Sequence, residues 1–231
     1  LKVILQDLDS KNGTLVNYKK VHRALLKPGD KICLGRVILK FEYKDLADQS
    51  FYEEIYRLAT TDSLTGLLNK ATITRTLKEE MAKSGRYHRD LSVILMDLDD
   101  FKSLNDTFGH LTGDRVLQHV ARVMRKNLRQ QDKVGRFGGE EFLLVLPETG
   151  LKGAASLAER IRKDIERTVA AELKLGRRVS VSAGISTYTT DGSDCENLLE
   201  RTDSALYRAK ALGKNCTELW EENSALERGQ G

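Results

Sequence analysis

The chain has 231 residues, 40% of them hydrophobic and 31% charged, with a net charge of +4. That length holds one large domain or a medium and a small one, and so even a charge balance excludes a nucleic-acid tail or a polybasic membrane anchor while leaving room for a small anionic ligand. No apolar run approaches the roughly 18 residues of a membrane span, and Cys33, Cys195 and Cys216 are too far apart for a zinc pattern or a disulfide scaffold. A reducing, cytoplasmic compartment is expected, with neither nucleic acid nor membrane as partner.

In chain order, the segments Val3-Ile4-Leu5, Thr14-Leu15-Val16, Lys31-Ile32-Cys33-Leu34 and Val37-Ile38-Leu39 alternate as strands do, with turns at Asn12-Gly13 and Pro28-Gly29-Asp30. This predicts a short all-β piece over residues 1–44. The string Asp7-Leu8-Asp9-Ser10-Lys11-Asn12-Gly13-Thr14, followed by Leu26-Lys27-Pro28-Gly29-Asp30-Lys31-Ile32, resembles the second half of forkhead-associated (FHA) domains, which are phosphothreonine-binding β-sandwiches. The resemblance puts Asn12 in a recognition loop and implies a phosphothreonine peptide as partner, while the phosphate-holding residues of that family lie upstream of this segment. A chain that starts without Met and inside a domain is expected to have a longer N-terminus. An ordinary β-meander with an Asn-Gly turn remains the alternative.

Residues 45–61 turn helical, with Leu46, Phe51, Ile55, Leu58 and Ala59 forming an apolar stripe that could pack on its own domains or on a second copy. Thr61-Asp62-Ser63 offers capping or turn side chains at the opening of the main domain, placed at 62–222 ahead of a tail at 223–231. Within it the pattern predicts helices at 71–82, 101–107, 113–128, 152–169 and 196–212, and strands at 91–97, 134–137, 142–146, 179–187 and 216–220. Alternating strands and helices with one internal hairpin predict an α/β sandwich with a palm-like, ferredoxin-related sheet.

Asp97-Leu98-Asp99 ends the apolar strand Leu91-Ser92-Val93-Ile94-Leu95-Met96, and Glu140-Glu141 follows Gly138-Gly139 at a hairpin tip. Neighbouring strands lie about 4.8 Å apart, so the two acidic groups could face one Mg²⁺, which favours one or two carboxylates plus phosphate oxygens. The plain alternative is acidic turns at strand ends. Asp97-Leu98-Asp99-Asp100-Phe101-Lys102-Ser103-Leu104-Asn105-Asp106 and Arg136-Phe137-Gly138-Gly139-Glu140-Glu141-Phe142 together resemble the two signatures of GGDEF domains, within a likeness running from Asp62 to Lys210.

That resemblance implies a diguanylate cyclase, which condenses two GTP into cyclic di-GMP and pyrophosphate with Mg²⁺ or Mn²⁺, as a homodimer. It implies Asp97, the Leu98 carbonyl and Glu140 as metal ligands. Asp97, Glu140, Glu141 and Lys102 become catalytic residues, Glu141 standing where the family name has Asp. Asn105 and Asp114 would read guanine; Phe101, Gly138, Gly139, Lys210 and Lys214 would complete the substrate site, with Lys214 where the family usually has Arg. Arg129 and Asp132, spaced as Arg-x-x-Asp, would form with Arg160 an inhibitory product site. Each has a bland counterpart: a helix cap for Asn105, a first-turn acid for Asp114, solvated cations for the lysines, and an i, i+3 ion pair for Arg129 and Asp132. An inactive domain sensing GTP or cyclic di-GMP, or an FHA phosphopeptide adaptor, are the rival functions.

Overall fold

The computed structural model describes residues 2–42, 46–188 and 194–220, without the side chains of 46–50 and 53. The 223–231 tail and the Leu46 side chain of the apolar stripe thus lie outside the described residues. Two compact units divide inside a helix, one spanning 1–56 and the other 57–231.

The first unit is all β. Strands β1 (Val3–Gln6) and β4 (Arg23–Leu26) pair antiparallel, while β2 (Thr14–Val16), β3 (Lys19–Val21), β5 (Lys31–Leu34) and β6 (Val37–Lys40) form a sheet ordered β3-β2-β5-β6. Strands β3 and β4 are only three and four residues long, with Lys19 and Lys20 adjacent and both exposed on β3 and Leu25 exposed on β4, so neither shows a clean period-2 pattern of hydrophobicity. Val16, Leu26 and Ile32 form the small core. The 7–14 turn is held by Asp7, whose carboxylate accepts from Ser10 Oγ at 2.6 Å and Thr14 Oγ1 at 2.8 Å.

Helix α1 (Leu46–Thr60) follows, and on it Phe51, Ile55 and Leu58 are exposed. The chain then turns through Asp62, which accepts from both the backbone N–H and the hydroxyl of Thr65. Helix α2 (Lys70–Tyr87) takes its cap from Asn69, which accepts from the Thr72 N–H. It outruns the expected end at 82 because Gly85 costs only about 1 kcal/mol in a helix and Ser84 is buried. The true stop is His88, whose left-handed backbone closes the last turn onto the Ser84 carbonyl.

The catalytic-size unit is built on one sheet ordered β11-β10-β7-β9-β8, from β7 (Leu91–Leu98), β8 (Lys133–Arg136), β9 (Glu141–Pro147), β10 (Val181–Thr187) and β11 (Thr217–Leu219). All pairs are antiparallel except β10 with β11. Strand β7 is central and buried at every position, so its two alternating faces define two cores. Ile94, Met96 and Leu98 pack with α3 (Phe101–Phe108), α4 (His110–Asn127) and α5 (Leu151–Leu173), whereas Leu91, Val93 and Leu95 pack with α2 and α6 (Cys195–Ala211). The α/β sandwich is as expected, with helices on both faces.

Helix α6 lies against β10 at Gly184, where an added Cβ would stand 2.2 Å from the Thr202 carbonyl oxygen and 2.3 Å from the Leu206 nitrogen. Both are backbone, so the helix itself would have to move. Gly184→Ala should lower unfolding stability by about 2 to 3 kcal/mol in urea titration; a change below about 0.5 kcal/mol would mean that α6 is not seated this closely.

Candidate active site

Asp97 continues the odd-numbered face of β7 and therefore points toward α6. It is 5% exposed, and its carboxylate meets Lys210 Nζ at 2.8 Å from the last turn of that helix. In register opposite Asp97 on β9 stands Glu141, with Glu140 just before it; the Glu140 carbonyl accepts from the Leu98 N–H at 3.3 Å. Burial pushes all three carboxyls above the ordinary carboxylate range, Asp97 raises both glutamates further, and Lys210 offsets only part. Three buried or half-buried acids thus stand close together, and of these Asp97 is ion-paired, with Lys210. The excess negative charge suits a divalent cation, yet among the described residues no three His, Cys, Asp or Glu converge on a metal position by themselves. A hard cation here would have to draw its remaining oxygens from a ligand or water.

The hairpin tip is held from behind. Arg136 donates through Nε and Nη2 to the Gly139 carbonyl at 3.0 and 2.6 Å, and its Nη1 lies 3.3 Å from Asp62 Oδ2. A Cβ on Gly138 would fall 2.2 Å from Glu141 Oε2, so a side chain there would displace the end of the Glu141 carboxylate. Gly139 is different: no atom lies within 4 Å of its would-be Cβ.

Asp99 stands apart from the neighbouring acids. Despite its place in the acidic strand end, it accepts from Ser180 Oγ at 2.7 Å, Ser182 Oγ at 2.6 Å and the Asn215 N–H at 3.0 Å. These donors occupy three of its roughly four lone-pair sites and fasten β7 to β10 and to the loop after α6. Arg162 on α5 braces the same loop, donating to Asn215 Oδ1 at 2.8 Å. The lysines are not simply solvated at a helix end either: Lys210 is paired with Asp97, and Lys214 Nζ sits 2.5 Å from Asp100. Lys102 is exposed on the first turn of α3, while the Phe101 side chain is buried in the core, so only its backbone remains for a ligand.

Helices α3 and α4 meet at Gly109, which sets Asn105 against Gly113, the residue before Asp114. The Asn105 Oδ1 is buried without a hydrogen-bond partner, lying where a Cβ on Gly113 would be, 1.9 Å away. Its side chain caps no helix. Because α4 begins at His110 rather than at 113, Asp114 is past the first turn, and an N-terminal dipole does not account for it.

Arg129 and Asp132 make no side-chain ion pair. Asp132 Oδ2 instead accepts from the Arg129 backbone N–H at 2.8 Å, and its buried Oδ1 has no partner. The Arg129 side chain is exposed, and Arg160 is anchored nearby through the Asn127 side chain at 2.8 Å and carbonyl at 3.0 Å. In the first unit, Asn12 is exposed at its turn. The sequence reading missed Arg136, Arg162, Ser180, Ser182 and Asn215; only Arg136 carried a signal, its place inside the second signature.

Residues 59–216 match the family described as diguanylate cyclase, GGDEF domain, and residues 1–35 match the FHA domain. The diguanylate cyclase DgcP of Pseudomonas aeruginosa is 41% identical over 174 residues, 75% of this chain and 26% of that protein. Diguanylate cyclase A of Treponema denticola is 36% identical over 173 residues and is covered to 47% of its length, so the chain spans between a quarter and a half of these relatives. Among solved structures, the active GGEEF domain of a diguanylate cyclase from Vibrio cholerae is 32% identical with a TM-score of 0.63, covering 68% of this chain and 99% of that one. Sheet, signatures and family match agree over more than half the chain, which belongs to the GGDEF diguanylate cyclase family.

Proposed function

We propose that this chain condenses two GTP molecules into cyclic di-GMP, each of two chains presenting one nucleotide to the other. The observation that carries this is the meeting at the end of β7 of Asp97, paired with Lys210, and the register-opposed Glu141 with Glu140 beside it, all three carboxyls raised by burial. A Mg²⁺ or Mn²⁺ ion held by Asp97, the Leu98 carbonyl and Glu140 would neutralise triphosphate charge. Glu141, its carboxyl raised by burial and by Asp97, suits acceptance of the proton from the attacking 3′-hydroxyl. The 3′-oxygen then bonds to the α-phosphorus of the other nucleotide, and the α–β bridging bond breaks to release pyrophosphate. The unpaired Asn105 oxygen and the Asp114 carboxylate offer acceptors to guanine's N–H edge, which adenine would leave unmatched. Lys102, Lys210 and Lys214 offer charge to the phosphates, and the open side of Gly139 admits them.

The reading further assigns residues 1–44 to the end of an FHA module that binds a phosphothreonine peptide near Asn12, residues 45–61 to a connecting helix, and 62–222 to catalysis. The exposed Phe51, Ile55 and Leu58 suit contact with a second copy, through which the first module would govern how two catalytic units meet. GTP as substrate makes the cytoplasm its place of work. Incubation with GTP and MgCl₂, followed by chromatography of the nucleotides, tests the core of this. The parent protein should yield cyclic di-GMP and Glu140→Ala less than about 1% of it; equal yields would remove Glu140 from the machinery, and no product from the parent would favour the sensor or adaptor.

The raised carboxyls also tie stability to pH. A carboxyl whose folded pKa lies above its unfolded value favours the fold at low pH and opposes it as pH rises past that value. Without metal, Glu140→Gln should therefore melt about 2 °C higher than the parent at pH 8, with the gap closing near or below the ordinary glutamate value of 4.5. A variant that melts lower at pH 8 in the presence of chelator contradicts this.

Product inhibition is proposed at Arg129, Asp132 and Arg160, where an exposed guanidinium and a buried unpaired carboxylate oxygen face the requirements of guanine. Cyclic di-GMP titrated against initial rate should show Arg129→Ala needing at least about tenfold more product for half-inhibition, with the uninhibited rate little changed. Superimposed curves would leave the 129–132 turn a structural one.

A further inference from the structure

Beside the acidic end of β7 lies a cleft of roughly 430 Å³ that includes Asp99, Asp100, Arg177, Arg178, Ser180 and Lys214 in its wall. Its two carboxylates are already committed: Asp99 accepts three hydrogen bonds, and Asp100 is paired with Lys214 at 2.5 Å. Two of its three cations are committed as well, since Arg178 is paired with Glu166 at 2.6 Å. Arg177 alone among them has no carboxylate partner among the described residues. Its Nη1 reaches only Ser103 Oγ, at 3.3 Å, on the first turn of α3. That turn has no side-chain cap, because Asp100 holds a left-handed backbone and makes no capping bond. An unpaired planar guanidinium therefore stands against an uncapped helix start, next to the lysine loop, in a space large enough for an anion.

We propose that Arg177 is a binding residue for the terminal phosphates of the nucleotide, receiving the β- and γ-phosphates and holding the departing pyrophosphate. This rests on the GTP reading above and adds a ligand that neither signature contains. The chemistry is complementary to Lys214, which is a point charge tethered to Asp100; a guanidinium contributes two parallel N–H donors of fixed geometry, which an ammonium cannot supply. Ser103 keeps the group near the helix start by one weak hydrogen bond that a phosphate oxygen would readily replace.

The test compares the parent with Arg177→Ala and Arg177→Lys in three measurements: steady-state synthesis, inhibition by added pyrophosphate, and calorimetric binding of GMP, which lacks the outer phosphates. Arg177→Ala should raise KM for GTP and the inhibition constant for pyrophosphate each about tenfold, change kcat less than about threefold and leave GMP affinity as in the parent. Arg177→Lys should recover only part of both losses. Unchanged KM and pyrophosphate inhibition in Arg177→Ala would overturn the assignment, as would an equal loss of GMP affinity, which marks a general structural defect. If the parent synthesises nothing, the GTP reading fails separately, and calorimetry of pyrophosphate with parent and Arg177→Ala still decides the role of Arg177: equal affinities overturn it.

Discussion

A carboxylate buried at the end of a fully buried strand is the constraint around which the larger unit is arranged. Asp97 has little water to solvate it, and an isolated charge there would be expelled or protonated. Lys210 supplies the ammonium that pairs with it. For that lysine to arrive, α6 must lie close on β10, which the missing side chain of Gly184 permits. The strand order β11-β10-β7-β9-β8 then sets β9 on the other flank of β7 and brings Glu141 into register with Asp97. The result is under-compensated: Lys210, with Lys214 and Lys70 acting from nearby, offsets only part of what burial does to the three acids.

The acids of this region divide by what already bonds to them. Asp99 and Asp62 are saturated by hydroxyl, amide and guanidinium donors, and they fasten structure. Asp97, Glu140 and Glu141 have their carboxyls raised, because burial and mutual repulsion outweigh Lys210. Asp62, by contrast, is held low by Thr65 and Arg136 despite partial burial. Saturated carboxylates build the frame, and unsatisfied ones await a ligand.

Two unsatisfied oxygens elsewhere fit the same logic. A buried acceptor without a partner costs about 1 to 3 kcal/mol, so it persists where something else gains from it. Asn105 Oδ1 and Asp132 Oδ1 are both of this kind. They lie at different ends of α3 and α4, one at the helix junction and one past the C-terminus of α4, and each sits where the family resemblance expects a guanine. Arg136 links a third region, joining the Asp62 turn that follows α1 to the Gly139 carbonyl at the hairpin tip. Any displacement of that turn is thereby felt at the site by a direct chain of bonds.

Much of this was determined by the sequence itself. The apolar run ending in Asp97, the Gly138-Gly139 turn and the helical periods place the elements, because strand and helix periodicity and turn chemistry are local properties of the chain. The short strands β3 and β4 escaped because runs of three and four residues, with exposed Lys19-Lys20 and Leu25, carry no clean alternation, and α2 outran its expected end because packing outweighs one glycine. What only the tertiary structure decided is the state of each side chain. Asp97 and Asp99 look alike in sequence, yet Ser180, Ser182 and Asn215 reach one and not the other. Gly138 and Gly139 look alike, yet only one is crowded by Glu141. Arg177 and Arg178 are neighbours, yet Glu166 takes one and leaves the other without a carboxylate. In each pair the difference is made by residues distant in the chain, and no local pattern encodes which of two equal neighbours they will meet.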